Sequence, residues 1–160
     1  MSRKITFLVE YENMIPFGKN KVTTDMSILF ETSIAIGSFS IHPYHWSFEL
    51  TTQEVSQNKY LLRYATGSLC LMNCRNTTLS IPESQRGKIY ASFNFSPCAD
   101  GIYYNQYSMF AEKKYFDTEN KIFAVGDVST VHQKCVEFAS GQFAVINDLG
   151  ELLAIYICMD

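Results

Sequence analysis

The sequence predicts a single α+β or mostly β domain, with about seven or eight strands and one helix near its start. Three observations lead there. Aromatic residues make up 14% of the chain, with 10 Tyr and 12 Phe, and flat rings pack well on the pleated surface of a sheet. Short segments along most of the length alternate apolar and polar side chains, the period of a half-buried strand. One segment, T-T-D-M-S-I-L-F-E-T-S-I-A-I-G, instead places apolar residues at helical spacing.

The elements follow in chain order. I-T-F-L-V-E-Y-E, from Ile5, alternates and reads as a strand. Pro16 and Gly18 then break it. Thr24 or Asp25 is placed to cap a helix, because its side-chain oxygen accepts the first free N–H groups. Met26, Leu29, Phe30, Ile34 and Ala35 fall on one stripe, and Gly37 is a natural stop. The competing reading makes a strand from Ile28, Phe30, Ile34 and Ile36. H-P-Y-H-W-S-F-E-L (His42 to Leu50) reads as a strand, and T-Q-E-V-S-Q-N-K-Y as a helical turn or loop. Tyr60 to Cys74 is a strand interrupted near Gly67, and N-T-T-L-S-I-P-E-S-Q-R-G-K is polar and turn-rich. K-I-Y-A-S-F-N-F sets Ile89, Ala91, Phe93 and Phe95 on one face. Tyr103 to Tyr115 is another strand, and D-T-E-N turns the chain before K-I-F-A-V-G. G-Q-F-A-V-I-N, D-L-G-E and L-L-A-I-Y-I-C form a last hairpin.

Composition narrows the class. A length of 160 residues suits one domain and one core. A net charge of −3 with no Lys/Arg cluster argues against nucleic acid, whose phosphates need clustered cations. No apolar run of about 18 or more residues is present, so no membrane span is expected. Glu10 and Glu12 cut short the only apolar stretch near the basic start, so no signal peptide is expected. Five cysteines, an odd count without a secretory signal, predict free thiols in the cytoplasm.

Reactive side chains give few constellations. His42 and His45 have H-x-x-H spacing, but Pro43 favours extended chain and no third ligand is near, so no metal is expected. Cys70 and Cys74, four apart on a strand, are separated by ~13 Å and read as buried thiols. His132 and Cys135 invite a Cys–His nucleophile reading, and Asp127 a pocket reading; neither has supporting context. Tyr103, Tyr104 and Tyr107 suit sheet packing or the lining of an interface.

The segment V-E-Y-E-N-M-I-P-F-G (Val9 to Gly18), followed about a dozen residues on by Leu29-Phe30-Glu31, resembles the strand, loop and helix that open the hotdog-fold acyl-CoA thioesterase and dehydratase-like proteins. C-L-M-N-C-R-N-T-T-L-S-I-P-E-S-Q-R-G-K-I-Y-A-S-F-N-F resembles their later strand, polar connection and strand. Y-S-M-F-A-E-K-K-Y-F-D-T-E-N-K-I-F-A-V-G-D-V-S-T-V resembles their closing hairpin. The resemblance covers residues 5–133 and leaves 134–160 as a C-terminal β-hairpin extension. It implies one central helix packed against a curved antiparallel sheet, with an all-β sandwich or barrel as the alternative. It implies an acyl thioester on coenzyme A or an acyl carrier protein, no cofactor, and a homodimer or higher oligomer that joins its sheets. Asn13 and Glu31 would then place the attacking water, with Glu31 as general base. Gly18, Thr24, Asp25 and Met26 would bind substrate, the helix N-terminus holding the thioester carbonyl. Many members carry a catalytic Asp in the loop before the helix; Asn13 stands at the matching position. The alternative function is therefore a non-catalytic β-rich interaction or acyl-binding module.

Overall fold

The computed structural model describes residues 3–11, 34–36, 39–41, 47–69, 74–97, 101–103, 113–128 and 134–158. Thirteen strands are found among them: β1 (Ile5–Tyr11), β2 (Ile34–Ile36), β3 (Phe39–Ile41), β4 (Ser47–Ser56), β5 (Lys59–Leu69), β6 (Arg75–Asn76), β7 (Gln85–Phe93), β8 (Gly101–Tyr103), β9 (Lys114–Asp117), β10 (Ile122–Gly126), β11 (Lys134–Ala139), β12 (Gln142–Ile146) and β13 (Leu152–Cys158).

The expected helix is the main correction. The described residues are all-β, and Ile34–Ile36, the end of the segment read as a helix, is a strand paired antiparallel with Phe39–Ile41. Phe39–Ile41 in turn lies parallel to Gly67–Leu69 of β5. Ile34 and Ile36 are β-branched and sit at strand period; once a neighbouring ladder is available, that pattern outweighs the helical stripe. The α+β architecture with a central helix is thus overturned for the described residues. A second difference concerns T-Q-E-V-S, read as a turn or loop. It continues β4 to Ser56, where Asn58 takes a left-handed φ of 53° and β5 begins. Its polarity reflects an exposed sheet face, because Gln53 to Ser56 are all solvent-exposed.

Hydrogen bonding links the strands in the order β2-β3-β5-β7-β11-β12-β13-β10-β9-β6, with β1 on β7, and β4 between β5 and β8. The two halves of this network join where the start of β7 runs parallel to β11, Gln85 opposite Val136 and Arg86 opposite Glu137. The main core draws from both halves. Phe7, Phe48, Leu50, Leu62 and Ile89 come from the first, and Phe123, Phe138, Ile146 and Ile155 from the second. The Phe48 and Phe123 rings meet at 6.2 Å. A second cluster, with Leu79, Ile122, Ala124, Cys135, Val145 and Tyr156, packs the second half on its other face. The strands there are consequently buried on both faces and read as near-continuous apolar runs, I-F-A-V-G and L-L-A-I-Y-I-C.

Two side-chain amides stand in for ladder positions. Gln142, 1% exposed, accepts the Ala65 N–H at Oε1 (2.6 Å) and donates from Nε2 to the Ala65 carbonyl (3.2 Å), tying β12 to β5. Asn58 does the same to Phe93, accepting its N–H at 2.8 Å and donating to its carbonyl at 2.9 Å. Each satisfies a main-chain donor and acceptor that would otherwise be desolvated.

Candidate functional site

The six residues singled out for thioester chemistry, Asn13, Gly18, Thr24, Asp25, Met26 and Glu31, lie outside the described residues, as do His42, His45, Cys70 and His132. Among the described residues no three His, Cys, Asp or Glu side chains are grouped to hold a metal ion, and no helix is long and apolar enough to cross a membrane.

The titratable groups that are described have structural surroundings. The Cys135 thiol is buried, and that burial, reinforced by the Glu137 carboxylate, pushes its pKa up to about 11. A nucleophilic cysteine needs the opposite shift, so burial works against the Cys–His reading, whose His132 lies outside the described residues. Tyr156, buried on the same side, is pushed up to about 12 by burial and by Cys135 and Asp127. Asp117 closes the turn after β9. Its carboxylate accepts the Leu79 N–H (2.8 Å), the Asn120 N–H (3.0 Å) and side-chain amide (2.8 Å), and the Glu119 N–H (3.1 Å). These donors, Leu79 foremost, hold its pKa down at about 2.

The distinctive surface forms at β1. Its alternation buries Phe7 and turns Thr6, Leu8 and Glu10 outward. Phe7 donates its N–H away from β7, to the Gly150 carbonyl at 2.8 Å. That carbonyl belongs to a turn built by Asn147, whose Oδ1 accepts the N–H groups of Leu149 (3.0 Å) and Glu151 (2.9 Å) and whose amide donates to Glu151 Oε1 (2.9 Å). Gly150 holds a φ of +79°, and a Cβ there would sit 2.8 Å from Thr6 Cγ2 and 3.0 Å from the Phe7 carbonyl oxygen. Only glycine permits this approach. The contact has a consequence on each side. Leu8 follows Phe7 and is 64% exposed; Leu149 precedes Gly150 and is 73% exposed. They are the two most exposed large apolar side chains among the described residues, far apart in sequence, on backbone segments tied by the Phe7–Gly150 hydrogen bond.

From Leu8 a row of paired residues crosses the sheet, open to solvent at Leu8 and closed over at Leu61, which is 8% exposed. Leu8 faces Tyr90 on β7, Tyr90 faces Leu61 on β5, and Leu61 faces Gln53 on β4. The row is flanked by Lys59, whose Nζ stands 4.4 Å from the centre of the Tyr90 ring, by Arg63, which donates to Gln53 Oε1, and by Lys88 opposite Glu10. Tyr64, 38% exposed, lies beyond it. Sequence reading had the alternation of β1 but not this patch. The signal available was the solvent-facing Leu8 between Thr6 and Glu10; the tie from Phe7 to the Gly150 turn is purely tertiary.

Fold and surface together define a class: a β-rich domain with a preformed, partly apolar exposed face. Comparison with family models, curated proteins and solved structures finds no match.

Proposed function

We propose that this protein is a non-catalytic interaction module that engages another protein through the Leu8–Leu149 surface. One observation carries the reading: two leucines from distant parts of the chain, Leu8 and Leu149, are each more than half exposed on backbone segments tied by the Phe7 N–H to Gly150 carbonyl hydrogen bond. Exposed apolar side chains with a polar surround suit a binding hot spot. Preorganisation supports the same reading, since the Asn147 turn loses little freedom on binding. The edge of β1 is less suited to joining a second copy. The Asn147–Glu151 turn covers it at Phe7, and an antiparallel pairing centred on residue 10 would set Glu10 against its own copy.

The test is site-specific photo-crosslinking in the source cell, with the crosslinking side chain at position 149 and, as control, at the exposed Glu119 of the β9–β10 turn. A discrete adduct at 149 that is lost when Leu8→Asp is added supports the reading. Equal labelling at both positions counts against it. Acyl-CoA and acyl-carrier substrates should release no thiol; release that disappears with Glu31→Gln would replace this reading with the hydrolase one.

A further inference from the structure

We propose that Thr78 is the acceptor of a protein kinase that selects basic substrates, and that its phosphate unlatches residues 77–84 from the sheet beneath them. The inference goes beyond the Leu8 surface and concerns the other half of the fold. Residues 77–84 join β6 to β7 without entering a helix or strand. One end is tied to β9: the Thr77 N–H donates to the Phe116 carbonyl at 3.4 Å, and the Leu79 N–H to Asp117 Oδ2 at 2.8 Å. The other end enters β7 at Gln85, opposite Val136 of β11. Between these ends lie β10, β13 and β12, a crossing of ~19 Å at ~4.8 Å per strand. Eight residue steps reach ~26 Å at most, so the segment is drawn out as a strap. Leu79 is buried and Ile81 half-buried in the cluster that holds Ile122, Ala124, Cys135 and Tyr156, whereas Thr78 and Ser80 are exposed.

Arg75 stands three residues before Thr78, and Leu79 follows it. A kinase that selects basic substrates reads an arginine at this distance with its own carboxylates and takes the acceptor as extended chain. The spacing alone does not single out Thr78, because Arg3–Thr6 and Arg63–Thr66 share it. The structure separates them. Thr6 is paired with Ser92 and Thr66 with Glu49 inside antiparallel ladders, which would have to break before either strand entered a kinase cleft. Thr78 belongs to no strand, and both it and Arg75 are exposed. In the transfer, Thr78 Oγ1 bonds to the γ-phosphorus of magnesium-bound ATP as the bond to the β,γ-bridging oxygen breaks. ADP leaves with that electron pair, and the hydroxyl proton passes to the kinase's catalytic carboxylate. The phosphate adds a charge of about −2 one residue from the N–H that Asp117 holds. The Asp117 carboxyl is ionised at neutral pH, so two anions then repel across the bond that ties the strap. The only charged residue within 77–84 is Glu83, also negative, and Arg75, an odd number of residues away, starts from the opposite side of the extended chain. Loosening Leu79 removes part of the cover of Cys135 and Tyr156, its neighbours in the cluster.

The experiment incubates the full chain with magnesium ATP and the catalytic subunit of a serine/threonine kinase that selects basic substrates, and locates phosphate by mass spectrometry. One phosphate should appear, on Thr78. It should be absent in Thr78→Ala and enter about tenfold more slowly in Arg75→Ala. Both side chains are exposed, so neither variant threatens the fold. In the phosphorylated protein the Leu79 amide should exchange its hydrogen about tenfold faster, while that of Ile89, in the first half, is unchanged. Cys135 should also alkylate faster than in the unmodified protein. Phosphate on Thr6 or Thr66 instead, incorporation that ignores Arg75→Ala, or no incorporation overturns Thr78 as the acceptor. Phosphate on Thr78 that leaves both Leu79 exchange and Cys135 labelling unchanged overturns the unlatching.

Discussion

Replacing Gln142 by Glu tests whether the buried amide bridge between β12 and β5 is a true two-way hydrogen-bonded tie. The side chain is 1% exposed and Ala65 is fully buried. Oε1 accepts from the Ala65 N–H and Nε2 donates to the Ala65 carbonyl. A carboxylate of the same shape keeps the first bond but sets an anionic oxygen against a carbonyl oxygen in a dry site. The variant avoids this by folding protonated, since a carboxylic acid donates where the amide did. Holding a glutamate protonated at pH 7, against an unfolded pKa of about 4.3, costs ~3.7 kcal/mol. Its folded pKa is raised, so the folded state binds the extra proton, and stability falls as pH rises above the unfolded pKa. The deficit relative to wild type should be ~3–4 kcal/mol at pH 7, shrink by ~1.4 kcal/mol per pH unit on acidification, and nearly vanish by pH ~4.5. Gln142→Met loses both bonds whatever the pH and should cost a constant ~2–4 kcal/mol. Urea denaturation of the three proteins between pH ~4.5 and ~7.5 reads both terms. A pH-independent deficit in Gln142→Glu, or a cost in Gln142→Met below ~1 kcal/mol, would refute the bridge.

Three further outcomes follow. Asp117→Asn turns an amide nitrogen toward N–H donors and should lower the denaturant midpoint; because the wild-type carboxyl is held down at about 2, its contribution is complete above pH ~4 and is lost as pH falls through about 2, so the two proteins should converge in strong acid. Gly150→Ala forces a Cβ against Thr6 and a positive φ on an L-residue. It should cost ~1–3 kcal/mol and speed hydrogen exchange at the Phe7 amide more than at core amides such as that of Val136. Cys135, with its thiol pushed up to about 11, should resist alkylation at pH 8 in the folded protein and react once urea unfolds it; rapid native labelling would contradict its burial.

How much of this was legible depends on where each signal lives. β7 could be read directly: Ile89, Ala91 and Phe93 alternate, and all three are buried. The last hairpin was equally plain, because D-L-G-E separates two apolar runs that pair antiparallel. The β4 extension was missed because an exposed strand face looks like a loop when its partner is not in view. Ile34–Ile36 was assigned to a helix because three residues fit either period, and the ladder that decides between them comes from Phe39–Ile41 and β5. The amide bridges of Gln142 and Asn58 leave no local mark, since their main-chain partners are 77 and 35 residues away. The Asp117 clasp had a hint in D-T-E-N, whose aspartate starts the turn, but not its reach to Leu79. The thioester residues fall outside the described residues, so that part of the reading stands on resemblance alone.

The place of β13 bears on how the protein is made. Leu152–Cys158 is the last described strand in sequence, yet it lies in the middle of the ladder, between β12 and β10. A nascent chain still waiting for that segment holds β10, beside β9, and β12, beside β11, with one apolar edge each unpaired. The β9–β10 and β11–β12 pairs can form alone, but their joining must wait until the segment has left the ribosome, and in that interval chaperones, or aggregation with a neighbouring nascent chain, compete for the open edges of β10 and β12.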